Sequence, residues 1–502
     1  MALVMVALLS LPFDGLMADY DLAIIGGGLN GVSLARDAAG RGLRVILLEQ
    51  GDLGGAASSA TPRLIHGDLS VLERRGFRRV RRALAERRTW LRIAPHLVRP
   101  MRFVIPAHSD ERPPWLLRLG LLLYDSLTSR SGLPATATLD ITHHPVGNAL
   151  KRPFGTAFEY SDCVVDDSRL VVLTALDAAE RGALIRTGAR CVRADRTDTW
   201  RLAVVDRGHR RTITTRALAN ATGGWTSMVA ETVLRQPQPA MAAMQMSQII
   251  LPRLFDSDNV YVFQNSDGRL IFASPIERDF TLIGTVTHDF TGDPAIVAMR
   301  GIDVGYLCEA TSRYFRERVA PTDVVRAVSG VNLTLASARR HDGATLFDAR
   351  RRKAPLITMF GGDVTTSRLR AERAVTKLTP FYPMSPPWTA GAALPGGDFA
   401  WDRFDTEVDL ARDRWRFLSE TQAQRLVAAY GSRLSAVLAE AKTRDDLGPA
   451  FGPELTGAEV RYLMTHEWAR FPEDILWRRS KLGLTMPVAD RDALAAFMAN
   501  VS

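Results

Sequence analysis

Cysteine is scarce in this chain. There are three residues in 502, Cys163, Cys191 and Cys308, spaced too widely to form a metal-ligand pair. This excludes a disulfide-stapled scaffold and points to small buried thiols in a reducing compartment. Also missing is any stretch of about twenty uninterrupted apolar residues, the length needed to cross a bilayer. Residues 1–17 are apolar but include Pro12, Asp14 and Gly15, with no lysine or arginine ahead of the apolar run. They make a poor secretion signal and are read as an extension, with Met17 as the true first residue. There is no internal repeat and no low-complexity segment.

What remains is an ordinary globular composition, 46% hydrophobic and 24% charged, too long for one core. The formal net charge is +9. Arginine supplies much of it in Glu73-Arg-Arg-Gly-Phe-Arg-Arg-Val-Arg-Arg82, read as a solvated helix face, with attraction to an anionic membrane surface as the alternative. No base-stacking motif accompanies the charge, so no nucleic-acid partner is expected. Trp115-Leu-Leu-Arg-Leu-Gly-Leu-Leu-Leu-Tyr-Asp-Ser-Leu127 is the most membrane-like segment; a buried helix is expected, an interfacial one being the alternative.

The most specific feature is Asp21-Leu-Ala-Ile-Ile-Gly-Gly-Gly-Leu-Asn-Gly31, followed by Val45-Ile-Leu-Leu-Glu49. A buried strand runs into a glycine turn, a helix and a second strand. Gly26 permits the tight turn, Gly28 lets a pyrophosphate approach the backbone, and Gly31 lets helix pack on strand. Glu49 lies about twenty residues downstream, where an acid accepts the hydroxyls of an adenosine ribose. An acid there argues against a 2′-phosphate, leaving FAD or NAD.

Further along, Asn220-Ala-Thr-Gly-Gly-Trp225 ends a strand in a turn that could meet the same dinucleotide, through Thr222 and Gly223. Leu356-Ile-Thr-Met-Phe-Gly-Gly362 is another strand ending in a glycine pair. Residues 248–286 read as an antiparallel sheet. Proline and glycine between Pro380 and Gly397 mark a linker, and from Thr406 onward the pattern is helical.

Together these phrases resemble the FAD-dependent (aerobic, respiratory) glycerol-3-phosphate dehydrogenases. The resemblance also rests on Leu64-Ile-His-Gly67, Phe158-Glu-Tyr-Ser-Asp-Cys163, Leu394-Pro-Gly-Gly397, His466-Glu-Trp468 and Leu476-Trp-Arg-Arg479. It covers nearly the whole chain and selects FAD over NAD. It implies an α/β fold: a glutathione-reductase-type FAD-binding Rossmann domain, a mixed-sheet substrate domain and a C-terminal all-helical domain. The expected division puts the FAD region at 18–390, discontinuous over approximately 18–95, 155–235 and 325–390. The substrate domain takes approximately 96–154 and 236–324, and the helical domain 391–502. Ser58, Ser59 and His66 fall in the stretch that lines the flavin in this family; Asn30, Gly361, Gly362 and Thr365 complete the implied cofactor set. Quinone is the implied electron acceptor, and the implied location is cytoplasmic, peripheral on the inner face of the membrane. His66 and His288 are the candidate catalytic bases, since histidine titrates in the useful range.

The chain also departs from the family pattern where a phosphate ester would bind. The family's Gly-Leu-Arg after Ile-His-Gly is here Asp68-Leu-Ser70. An arginine is replaced by Asn332, a lysine by Asp363, and a Thr-Arg-Asp phrase by Ala344-Thr-Leu-Phe-Asp348. The Gly-Thr-Thr-Asp turn is Gly284-Thr-Val-Thr287. Arginine contacts to phosphate are strong and charge-assisted. Three expectations follow: glycerol 3-phosphate oxidation through shifted cations, oxidation of an uncharged or cationic alcohol or amine, or flavin binding without turnover. Arg339, Arg340 and Arg350 to Arg352 are candidate replacement cations, more readily read as a solvated loop.

Overall fold

The computed structural model describes residues 18–69, 76–107, 113–127, 132–151, 155–265, 267–336 and 343–501. The expected extension at 1–17, Ser70, and Arg339 and Arg340 lie outside the described residues.

The fingerprint segment forms the centre of an eight-stranded sheet. Tyr20–Ile25 lies parallel to Val45–Glu49 on one side and to His209–Asn220 on the other. Leu184–Thr187 and Leu356–Phe360 extend the parallel set at its two ends. These strands are almost continuously apolar because both faces are covered. The helices Leu29–Gly40, Asp167–Glu180 and Ser367–Thr376 bury one face around Leu22, Val32 and Val172. An antiparallel meander, Ala189–Arg196, Trp200–Asp206 and His209–Asn220, covers the other with Trp200 and Val204.

A second sheet of nine strands is mixed, as expected. Its strands are mainly antiparallel, with Val260–Gln264 running parallel to Val98–Pro106. Its edge strand Arg326–Leu335 meets the first unit: a Cβ at Gly330 would stand 2.7 Å from Ala57 Cα. The cofactor loop and the sheet therefore share one boundary.

The C-terminal region has its own core, with Leu426, Tyr430, Val460 and Leu463 buried together. It is mainly helical but not wholly so, because Ala450–Phe451 pairs with Leu455–Thr456 in a short antiparallel ribbon. Nor is the Pro/Gly-rich segment before it a free linker. Trp388 Nε1 donates to the Asp37 carbonyl at 3.2 Å, and the Arg36 guanidinium donates to the Ala392 carbonyl at 2.9 Å. Proline and glycine there serve a tight path across the first helix.

The Pro114–Ser126 helix corrects another expectation. Leu121 and Tyr124 are buried and Leu117 packs partly against them, whereas Trp115 is 67% and Leu119 56% exposed. Apolar residues all round the helix concealed which side packs. No helix among the described residues is long and apolar enough to cross a membrane.

Candidate functional site

A cavity of about 990 Å³ runs along the boundary between the two sheets and reaches the C-terminal region. It sits at the carboxyl ends of the parallel strands, where open α/β sheets bind ligands.

The glycine turn builds its middle. Gly26 has φ +109°, and a Cβ there would stand 2.6 Å from the Ala221 carbonyl oxygen. Gly31 lies outside the lining and serves packing: its Cβ would fall 1.9 Å from the Gly26 carbonyl oxygen. Ser58 lines the cavity, and its hydroxyl accepts from the Leu29 N–H at 3.0 Å, holding the loop to the helix start. Ser59 does not face this cavity; its hydroxyl donates to the Ala56 carbonyl at 3.1 Å. Thr222 and Gly223 line the wall opposite, with the Thr222 hydroxyl 2.7 Å from Asn220 Oδ1.

One end is formed by Glu49, Gly51, Asp52 and Thr187. The Glu49 carboxylate accepts from the Gly27 and Gly51 N–H groups, each at 2.7 Å. Burial nonetheless pushes its pKa above the usual value, outweighing those donors. Hydroxyls of a ribose donating to it would relieve that cost. Thr187 is buried, and its hydroxyl has no hydrogen-bond partner among the described residues. An orphaned buried hydroxyl on this wall fits a polar ligand, as the adenosine half of FAD is.

At the other end Gly361 (φ +50°) and Gly362 (φ +100°) close the strand in backbone that only glycine adopts without strain. Asn30 Nδ2 donates to the Gly361 carbonyl at 3.1 Å, tying the fingerprint to this turn. The His66 N–H donates to the Thr365 hydroxyl at 3.1 Å, and the Trp90 indole donates to the Thr365 carbonyl at 2.9 Å. The next residue's N–H, Gly67, donates to Tyr124 Oη at 2.7 Å. That phenol donates to Asp162, which pairs with Arg87 at 2.5 Å, all three buried. The His66 loop is thus clamped from behind, with the His66 side chain in the cavity lining.

His288 is placed elsewhere. Thr287 lines the cavity, and strand alternation turns His288 to the opposite face, 3.6 Å from the Asp303 carboxylate. It is set aside as a base.

Among the expected substrate positions, Asn332 and Asp363 both line the cavity. The Asp363 carboxylate accepts from the Thr366 N–H at 2.7 Å, closing the turn that leads into the Ser367–Thr376 helix. Arg350 to Arg352 are exposed and outside the lining, as a solvated loop would be. Sequence reasoning missed Arg79, which lines the same cavity from the Phe77–Ile93 helix. Its position inside an arginine run hid it. Also missed were Thr187 and the C-terminal residues Trp468, Arg470 and Phe471.

The family described as FAD dependent oxidoreductase matches residues 21–366, and the C-terminal domain of alpha-glycerophosphate oxidase matches 388–501. A glycerol-3-phosphate dehydrogenase from Pseudomonas aeruginosa is 42% identical, over 97% of this chain and 96% of its own. The chain belongs to the FAD-dependent glycerol-3-phosphate dehydrogenase family. A D-erythritol 1-phosphate dehydrogenase from Brucella abortus is 40% identical, over 96% of this chain and 98% of its own. The Bacillus halodurans glycerol-3-phosphate dehydrogenase structure, complexed with FAD, shares the fold: TM-score 0.77, 23% identity, 96% of this chain and 90% of that one. This glycerol-3-phosphate dehydrogenase family member is therefore an FAD-dependent oxidoreductase acting on a CH–OH donor.

Proposed function

We propose that this chain oxidises the carbinol of a small polyol bearing an anionic ester, glycerol 3-phosphate or a longer polyol phosphate, with Arg79 holding the anion. The observation that carries this reading is Arg79 in the lining of the cavity that also holds His66 and Asn332. The relatives named for glycerol 3-phosphate and D-erythritol 1-phosphate support the substrate class.

FAD, when bound between Glu49 and the Gly361–Gly362 turn, supplies a hydride acceptor. His66 takes the hydroxyl proton, its backbone fixed by Thr365 and its neighbour by Tyr124. Arg79 orients the ester end, so that only one carbinol is presented.

A second reading has its own observation. Asp68 and Asp363 also line the cavity, and neither family cation stands at Asn332 or Asp363. This favours an uncharged or cationic donor. Anaerobic bleaching of the flavin in purified holoprotein distinguishes the two. Reduction by a polyol phosphate, lost in Arg79→Met, supports the first reading. Reduction by a polyol or amine alone supports the second, and a flavin that none reduces supports binding without turnover.

We also propose quinone as the electron acceptor, with the protein held peripherally on the inner face of the cytoplasmic membrane by the Pro114–Ser126 helix. The exposed Trp115, Leu116, Leu119 and Leu122 support an interfacial role. Co-sedimentation with anionic vesicles that survives in Leu119→Asp/Leu122→Asp would remove that helix from the account.

A further inference from the structure

The adenosine end of the cavity has a wall that the fingerprint does not supply. Trp468, Arg470 and Phe471, from the C-terminal region, line the same cavity as Glu49, Gly51 and Thr187. Phe471 is 60% exposed, so its ring is accessible to a ligand. The Arg470 guanidinium lies 5.8 Å from the centre of the Phe471 ring, and a Cβ added at Gly188 would meet it. An arginine plane and an exposed aromatic ring, side by side at a nucleotide pocket, are suited to the faces of a base.

Their placement is mechanically tied to the nucleotide loop. The Arg470 and Phe471 N–H groups donate to Asp474 Oδ2 at 2.8 and 2.9 Å, fixing the turn that presents both side chains. Asp474 pairs with Arg478, and Arg478 pairs with Asp52, close after Glu49. Arg479 adds a second contact to Asp52, at 2.8 Å. On the far side, the Gly188 N–H donates to the Gly51 carbonyl at 3.1 Å. The loop around the adenosine end and the C-terminal turn are thus one connected structure.

We propose that Arg470 and Phe471 close the adenosine half of the FAD site. The C-terminal region is then part of the cofactor site, and FAD binding is coupled to its docking through Asp474, Arg478 and Asp52. Coupling of this kind is reciprocal: the docked region raises FAD affinity, and FAD stabilises the docked turn. The inference rests on the FAD assignment alone and is independent of the substrate.

The test uses full-length protein stripped of flavin and titrated with three probes: FAD, ADP, which carries only the adenosine end, and FMN, which lacks it. In Arg470→Ala/Phe471→Ala, FAD and ADP are expected to bind about tenfold more weakly or worse, the loss typical of a base contact. FMN binding should stay within about twofold. Melting of the apo-protein checks that folding is intact. Hydrogen exchange at residues 468–474 should slow with FAD or ADP and not with FMN. Unchanged ADP affinity, or an equal loss for FMN, overturns the proposal. Wild-type protein that binds no FAD removes the FAD assignment itself and this inference with it.

Discussion

The two ends of the cavity are built by different means. The proposed adenosine end and the glycine turn next to it depend on backbone placement: glycines where the chain passes closely, N–H groups on Glu49, and a loop locked by ion pairs that also position Arg470 and Phe471. Such a site tolerates little change, because its chemistry lies in where the chain can pass. The other end, at Gly361–Gly362, where the flavin ring is proposed to lie (the ring end), carries side chains on a rigid frame. There Asn332 and Asp363 replace family cations without disturbing Gly361, Gly362 or the Tyr124–Asp162–Arg87 clamp. A fold can therefore keep its cofactor while its substrate contacts drift.

The largest effect should come from breaking the backbone end. Gly31→Val drives a branched side chain into the Gly26 carbonyl oxygen, which would stand only 1.9 Å from the new Cβ. Overpacking typically costs about 1–3 kcal/mol, and a clash with backbone belongs at the upper end of that range. The expected product is destabilised protein with little bound flavin, read from the ratio of flavin to protein absorbance.

A smaller, selective loss is expected at the ring end. Arg79→Met should leave flavin content intact while cutting kcat/KM for a polyol phosphate by roughly 2–5 kcal/mol, about thirtyfold or more. Activity on the matching uncharged polyol should be unchanged. Equal losses on both would make Arg79 a folding residue and erase the contrast between the ends.

This division also explains what the sequence made legible. The strand–turn–helix fingerprint and Glu49 are local, so residues 21–49 could be read directly, and Gly31 proves to serve packing as its position implied. Distant contributions could not. Arg470 and Phe471 lie over four hundred residues from the fingerprint, and long-range ion pairs such as those to Asp52 bring them to it. His288 could have been separated from Thr287 by alternation, had its strand register been known. Arg79 was hidden because a run of arginines gives no sign of which one turns inward; Arg78, Arg81 and Arg82 beside it are exposed.

The ion pairs at the adenosine end give a pH prediction. Burial pushes the Asp52 carboxyl up, but Arg479 and Arg478 outweigh it and hold it below its ordinary value. Asp166 behaves likewise: burial raises it, while Lys481, at 3.1 Å, and Arg63 pull it well down. A folded-state pKa below the unfolded one gives stability that is complete above about pH 4 and lost as pH falls through the folded value. Docking of the C-terminal region should thus be insensitive to pH near neutrality and loosen only in stronger acid. Hydrogen exchange across 466–481, measured from neutral to acid pH, checks this; loosening near neutrality would assign the docking to other groups.

The smallest effect separates the two substrate readings most cleanly. Asp363 does two jobs: it closes the turn before the Ser367–Thr376 helix through the Thr366 N–H, and it puts a negative charge in the cavity lining. Restoring the family lysine would lose the turn's hydrogen bond along with the charge, an unwanted cost of about 1 kcal/mol. Asp363→Asn keeps a side-chain oxygen for the Thr366 N–H and removes only the charge, so melting temperature and flavin content should not move. Because Asp363 is exposed, the electrostatic change is screened and worth about 1 kcal/mol or less, a few-fold in rate. For an anionic ester the sign is favourable, and kcat/KM should rise. For a cationic amine it should fall, and for an uncharged polyol it should stay level. The direction of that small change, measured against the three donor types, tells which charge the ring end is built to meet.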